Sequence, residues 1–199
     1  MNGATSSADV GQGPATPGAA GALTVTRHRV WAFGADIDTD QLAPGAYMKL
    51  GIEGIAPHCL EGVRADFAPQ VRRGDVIAAG PNFGIGSSRE QAAGALVQLG
   101  VRAVIAPSFS GLFFRNAFNL GLLLLTCPEA SRLREGEHIT LDLQALTVTT
   151  AQGETLRCEP IPGFLLEMVD AGGLLNQLRR RLARQKAGGE QSAVAGHAG

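Results

Sequence analysis

The middle of the chain alternates short apolar runs with amphipathic stretches, and this alternation narrows the architectures open to it. "GDVIAAG" (Gly74 to Gly80) reads as a buried strand stopped by Gly80, Pro81 and Asn82. "SREQAAGALVQLG" (Ser88 to Gly100) follows as a helix, with Ala92, Ala95, Leu96 and Leu99 at helical spacing and Gly100 where a C-terminal cap belongs. "VRAVIAPSF" is a second buried strand, "GLFFRNAFNLG" a helix ended by Gly121, and "LLLLTC" a third strand. Strand and helix in this order predict α/β layering.

The flanks add to this frame. "TVTRHRVWAF" (Thr24 to Phe33) alternates as a strand should and runs into the acidic turn "GADIDTDQ"; "HITLDLQALTVTTAQG" resembles a hairpin; "FLLEMVDAGGLLNQLRRRLARQ" is helical with a break at Gly172 and Gly173. Residues 1–22 are Gly, Ala, Ser, Thr and Pro for the most part, a composition that buries too little apolar area to offset chain entropy, and a disordered extension is expected there. The same expectation covers residues 186–199. Residues 23–185 remain as one domain, and a chain of 199 residues with 45% hydrophobic content can fill one core.

Seventeen Lys and Arg nearly balance eighteen Asp and Glu, so no bulk field draws the protein to nucleic acid or membrane, and an anion must be caught by a local site. The longest apolar run, Leu120 to Leu125, is too short to cross a bilayer. The first residues lack the marks of a signal or transit peptide, which makes the cytoplasm the expected compartment. Cys59, Cys127 and Cys158 are widely spaced without CxxC or histidine at ligand spacing, so no metal or cluster site is expected on this chain.

"NFGIGSSREQ" (Asn82 to Gln91) is the polar stretch with the most chemistry. It sits at a strand-to-helix turn, where open sheets often bind ligands. Gly84 and Gly86 let the backbone approach closely, the first amides of the helix point outward at the positive end of its dipole, and Arg89 adds a fork matched to a carboxylate. A plainer reading stands beside this one. Ser87-x-x-Glu90 and Ser88-x-x-Gln91 both fit a capping box, and the glycines then only permit the turn. A Walker loop is excluded because GxxxxGK[ST] is absent, and a Rossmann fingerprint because its third glycine is missing. In "DIDTDQ", Asp36, Asp38 and Asp40 alternate around Thr39; the calcium-loop pattern is not met, and a turn bonding to its own backbone is the simpler account.

Taken together, "DIDTDQLAPGAYM", "GPNFGIGSSREQAAGAL", "SFSGLFFRNAFNLGL" and "FLLEMVDAGGLLNQLRRR" resemble, in this order, the small subunit of 3-isopropylmalate dehydratase, which is similar to the swivel domain of aconitases. The resemblance runs from about Val30 to Leu182. It implies a swivelling β/β/α domain and a hydro-lyase that removes water from a hydroxy di- or tricarboxylate and can return it the other way round. It also implies a large-subunit partner, in a heterodimer or heterotetramer, that carries a 4Fe-4S cluster, leaving this chain without a cofactor of its own. By the family's motif, Ser87 is the base beside a substrate carboxylate, and Ser88 and Arg89 bind that carboxylate. Thr39 and Asp40 match the Thr-Asp pair that supports Arg89 and the serine.

In the same family, the segment after the Thr-Asp pair faces the variable group of the substrate. Here Tyr47, Met48, Lys49 and Leu50 precede Gly51 with no arginine among them, whereas aconitases and homoaconitase-like members place one there. An apolar substituent is therefore expected; Lys49 could meet a further carboxylate as a point charge, and a solvated lysine is the plainer reading of it. A related dehydratase acting on dimethylmalate or a homocitrate-like acid is the nearest rival, and a non-catalytic carboxylate-binding module the rival of another class. Cys59 is expected to be a small buried hydrophobe, His58 structural or exposed rather than catalytic, and Arg115 and Asn116 to pack or bond to the serine loop. The basic run Arg179 to Arg184 is expected at a helix end, where the dipole favours cations.

Overall fold

In the computed structural model the described residues are 26–195, with side chains described to residue 185. The expected N-terminal extension, residues 1–22, lies outside them. The first strand, β1 (Thr26–Ala32), buries His28, Val30 and Trp31 and becomes the centre of a seven-stranded sheet. To one side lie β2 (Val76–Ala78), β3 (Ala103–Ala106) and β4 (Leu123–Thr126), all parallel to β1 in the order β1-β2-β3-β4. To the other lie β5 (His138–Asp142), β6 (Thr147–Thr149) and β7 (Thr155–Arg157), each antiparallel to its neighbour.

The two halves differ because their sequences do. β2 and β3 are buried at every residue, as parallel strands covered on both faces must be, whereas β5 to β7 alternate buried with exposed or half-exposed positions, which is the mark of a sheet with one wet face. The parallel half is wound by α4 (Glu90–Gln98) between β2 and β3 and α5 (Gly111–Asn119) between β3 and β4. The long link from β1 to β2 holds three single-turn helices, α1 (Thr39–Leu42), α2 (Gly51–Ile55) and α3 (Phe67–Gln70), with a 3-10 stretch over Gly45–Leu50. After β7 come α6 (Gly163–Ala171), stopped by Gly172 in the left-handed conformation, and α7 (Leu174–Ala195). α6 and α7 pack on each other and on α5.

Two expectations meet a different outcome. α7 continues to Ala195, so helix extends past residue 185, where the tail was expected to begin, and the run Arg179 to Arg184 lies in mid-helix rather than at a helix end. Arg, Leu, Ala, Gln and Lys from residue 178 to 187 are all strong helix formers, so nothing in that run halts propagation. Residues 196–199 lie outside the described part.

At the outer end of the β1–β2 pair sits a polar knot. Asp75, buried, accepts from Arg29 Nη2 (2.6 Å) and Nε (3.1 Å), the Trp31 indole (2.9 Å) and the Arg72 amide (2.9 Å). Burial alone would raise its carboxyl; these donors outweigh it and hold the group below its ordinary value. His28 beside it is buried with Nδ1 on the Gly74 carbonyl (2.6 Å) and Nε2 on the Thr26 hydroxyl (2.6 Å), and burial holds its pKa down.

Candidate active site

The parallel strands deliver their C-terminal ends to one side of the sheet, and the polar loops gather there. Residues 34–38 and 80–86 run together as a short zipper. The Asp36 amide donates to the Pro81 carbonyl (2.9 Å), Gly84 to Ile37 (2.7 Å) and Thr39 to Ile85 (2.8 Å). Asn82, itself at positive φ, donates from its amide side chain to Asp36 Oδ1 (2.8 Å), and its backbone N–H goes to the Ser108 hydroxyl (2.9 Å). The acidic turn and the serine loop, 46 residues apart in sequence, are thus one structure.

Two glycines make this possible. At Gly84 (φ +78°) a Cβ would lie 2.2 Å from the Phe113 ring, so the loop can settle on α5 only without a side chain. At Gly86 (φ +100°) a Cβ would lie 3.0 Å from Thr39 Oγ1. Gly86 therefore roofs Thr39, whose side chain is 1% exposed and whose hydroxyl has no hydrogen-bond partner among the described residues. An orphan buried hydroxyl costs stability.

The capping box of the plainer reading forms at neither Ser87 nor Ser88. α4 begins at Glu90, its N-cap is Arg89 in extended conformation, and no side chain caps it. The positive φ at Gly86 swings the chain outward, so both serines stand exposed ahead of the helix rather than on its first turn. Among the described residues, the amides of Ser87, Ser88, Glu90 and Gln91 donate to no protein acceptor, while that of Arg89 reaches back to the Ser87 carbonyl (2.7 Å). A capping box does form at α1: the Gln41 amide donates to Asp38 Oδ1 (2.7 Å) and the Asp38 amide to Gln41 Oε1 (2.9 Å), which fixes the start of that helix.

Arg89 joins the two loops. Its Nη1 donates to Asp40 Oδ1 and to the Ala43 carbonyl (3.1 Å), which holds the guanidinium from one side. Nε and Nη2 have no partner among the described residues, so two donors of the fork stay open beside the exposed serines. Asp40 and Arg89, Thr39 and Gly86, and Ser87 and Ser88 are therefore assembled as one cluster. The Ala43 carbonyl and Asn82 belong to it too; a backbone oxygen leaves no trace in sequence, and Asn82 is recognisable only by its place before the glycines.

Tyr47, Met48, Lys49 and Leu50 lie on the 3-10 stretch that leaves this cluster through Ala43 and Pro44. Tyr47 and Met48 are half-buried against the core, whereas Lys49 and Leu50 are exposed. His58 stacks on Tyr47 with ring centroids 3.5 Å apart and planes 8° from parallel, and its Nδ1 bonds Glu61 (2.6 Å). The expected structural role of His58 thus has a definite form: it pins Tyr47. Arg115 and Asn116 make no bond to the serine loop among the described residues; Phe113 and Phe109 carry that contact, Phe113 under Gly84 and both against Phe83.

The cysteines do not converge on the cluster. Cys59 is fully buried, and burial alone pushes its thiol up, while Cys127 and Cys158 lie where the end of β4 meets the end of β7. Among the described residues no three His, Cys, Asp or Glu side chains gather as a metal set, and no helix is long and apolar enough to cross a membrane. Among the described residues the three cysteines do not come together as the ligand set of an iron-sulfur cluster.

Comparison with known proteins places this geometry in a lineage. Residues 65–130 match the family model described as the aconitase C-terminal domain. The 3-isopropylmalate dehydratase small subunit of Methanosarcina acetivorans is 43% identical over 159 residues, covering 79% of this chain and 98% of that protein. The methanogen homoaconitase small subunit of Methanothermobacter thermautotrophicus is 42% identical over 76% of this chain and 89% of its own length. The crystal structure of 3-isopropylmalate dehydratase from Methanocaldococcus jannaschii superimposes with a TM-score of 0.77 at 38% identity, covering 82% of this chain and 99% of that one. With its mixed sheet, its zippered loops and relatives of this closeness over nearly their whole length, the chain belongs to the family of 3-isopropylmalate dehydratase small subunits.

Proposed function

We propose that this chain is the small subunit of a hydro-lyase that works with a large subunit to dehydrate and rehydrate a hydroxy dicarboxylate of the isopropylmalate type. The observation that carries the reading is the open half of Arg89, held from behind by Asp40 and Ala43 and set beside two exposed serines and four free amides. In this reading Arg89 Nε and Nη2 take a substrate carboxylate as a fork, and Ser88 adds a hydroxyl to it. Ser87 takes the proton from the carbon next to that carboxylate. A serine hydroxyl is too weak a base in water, so it draws on the free amides and dipole of α4, the nearby guanidinium, and solvent exclusion once the partner closes over the loop. Asp40 and Thr39 act as positioning residues, Asp40 on Arg89 and Thr39 beneath Gly86. A 4Fe-4S cluster, which we assign to the large subunit, would supply a Lewis acid for the departing hydroxyl.

The substrate's variable group faces Tyr47 to Leu50 in this reading. An exposed Leu50 and a pinned Tyr47, with no arginine between them, favour an apolar substituent such as isopropyl or methyl. Exposed Lys49 and the homoaconitase relative support a second reading, in which a longer acid brings a further carboxylate to the ammonium. A panel of hydroxy acids given to the assembled complex, with the unsaturated acid followed by ultraviolet absorbance, separates them. Preference for isopropylmalate or dimethylmalate, unchanged in Lys49→Ala, supports the first; homocitrate-like preference lost in Lys49→Ala supports the second.

A further inference from the structure

The sheet closes on itself at one point. Cys127 extends β4 by one residue, its amide donating to the Ala106 carbonyl (2.9 Å), and Cys158 extends β7, its amide donating to the Leu146 carbonyl (2.9 Å). Successive residues of a strand aim their peptide groups at opposite neighbours, so Thr126 and Glu159, one residue away in each case, aim at the free edges. There they meet: the Glu159 amide donates to the Thr126 carbonyl at 2.8 Å. β4 runs with β1, and β7 against it, so the contact joins antiparallel chains. With the strands continued in antiparallel register from this one hydrogen bond, Cys127 falls opposite Cys158, with the peptide groups of both pointing away from the seam. Such pairs hold their Cα atoms about 4.5 Å apart with both side chains on one face, within the roughly 4.4 to 6.8 Å that a disulfide spans.

Both are free thiols in unlike surroundings. Cys127 is fully buried, whereas Cys158 is half-buried and lines a cavity of about 380 Å³ with Leu146, Arg157 and Pro160. The neighbouring Cys158 thiol brings Cys127 down to about 7, and Cys158 is itself pushed up by Cys127 and by burial. Cys59, by contrast, has no such neighbour and is raised by burial alone.

We propose that Cys127 and Cys158 form a reversible disulfide that staples the β4–β7 seam, taking its oxidising equivalents from a low-molecular-weight disulfide of the glutathione class. Cys158, which reaches the cavity, passes its proton to the neighbouring Cys127 thiolate and attacks one sulfur of the small disulfide; a mixed disulfide forms, and the departing small thiolate takes up the proton that the cysteine pair had released to solvent. Cys127 then attacks the Cys158 sulfur, the protein disulfide forms, and the second small thiol departs with the Cys127 proton. The protein loses two electrons and two hydrogens, and the small disulfide gains them.

The test is thiol trapping on the full chain equilibrated with oxidised or reduced glutathione, alkylated in denaturant and mapped by mass spectrometry. Alkylatable cysteines should fall from three to one, leaving Cys59, with the peptides bearing Cys127 and Cys158 joined. The oxidised form should unfold roughly 5 to 10 °C higher than the reduced form, a difference abolished in Cys158→Ala. Should a Cys127 variant fail to fold, Cys158→Ala, at the half-exposed position, serves as the control on its own. Glutathione remaining on Cys158 with Cys127 still alkylatable, or three alkylated cysteines in every buffer, would overturn the proposal.

Discussion

Arg89 keeps its place through one nitrogen and offers the others, and this division decides what its variants do. Lysine can replace the charge but not the fork, so Arg89→Lys should raise KM about 10- to 100-fold in the assembled enzyme while the chain stays folded. Asp40→Asn should lower kcat/KM by a smaller factor, because Ala43 still holds the guanidinium. Thr39 offers a sharper test. Its hydroxyl is buried without a partner, so Thr39→Val should leave stability unchanged or raise it by about 1 kcal/mol. If the hydroxyl serves the closed, substrate-bound loop, the same variant loses turnover; a variant both more stable and fully active would remove Thr39 from the account. At this scale the family motif named Ser87, Ser88, Arg89, Thr39 and Asp40 together, residues that lie in one cluster of the fold. It could not reveal that Thr39 lies beneath Gly86 or that the serines leave α4 uncapped, since both depend on one glycine's positive φ. Gly86→Ala should cost about 1 to 2 kcal/mol, read from a shifted urea midpoint, and weaken turnover as the serines shift.

Among the elements, those with strong local patterns were readable. The apolar runs 74–80, 101–109 and 122–127 contain β2, β3 and β4, each strand shorter than its run, and the two helices between them fell where spacing and their terminal glycines put them. The hairpin of β5 and β6 was readable as well. α1, α2, α3 and β7 were not, because pieces of three to five residues carry too little periodicity to stand out from loop. The knot at the β1–β2 end yields a prediction of its own. His28 has its pKa lowered by burial from 6.5, so the unfolded chain binds the proton more readily, and stability is full above about 6.5 and falls as pH drops below it. Asp75 is lowered from 3.8, so its contribution is full above that value and is lost on further acidification. Urea midpoints should therefore decline in two stages. His28→Gln should flatten the stage between pH 7 and 5. Asp75→Asn should flatten the acid stage and cost about 3 kcal/mol at neutral pH, because Arg29 loses its buried partner. A single-stage profile unchanged by His28→Gln would contradict the assignment.

For the whole molecule, the sheet's curl and the meeting of β4 with β7 come from pairings far apart in sequence, which no local pattern encodes. What the fold achieves is to hold an acidic turn and a serine loop in one zipper at the ends of the parallel strands, with half a guanidinium open beside two serines and no metal set of its own among the described residues. In the function proposed above, a large subunit completes this site. The measurement that bears most directly on this account is anaerobic co-purification with the large subunit, followed by detection of unsaturated acid formed by the wild-type complex and by Ser87→Ala. The account predicts equal assembly and equal cluster content in both, with turnover in the variant lower by about 10³-fold or more. A Ser87→Ala complex that assembles, carries its cluster and turns over at the wild-type rate would contradict it.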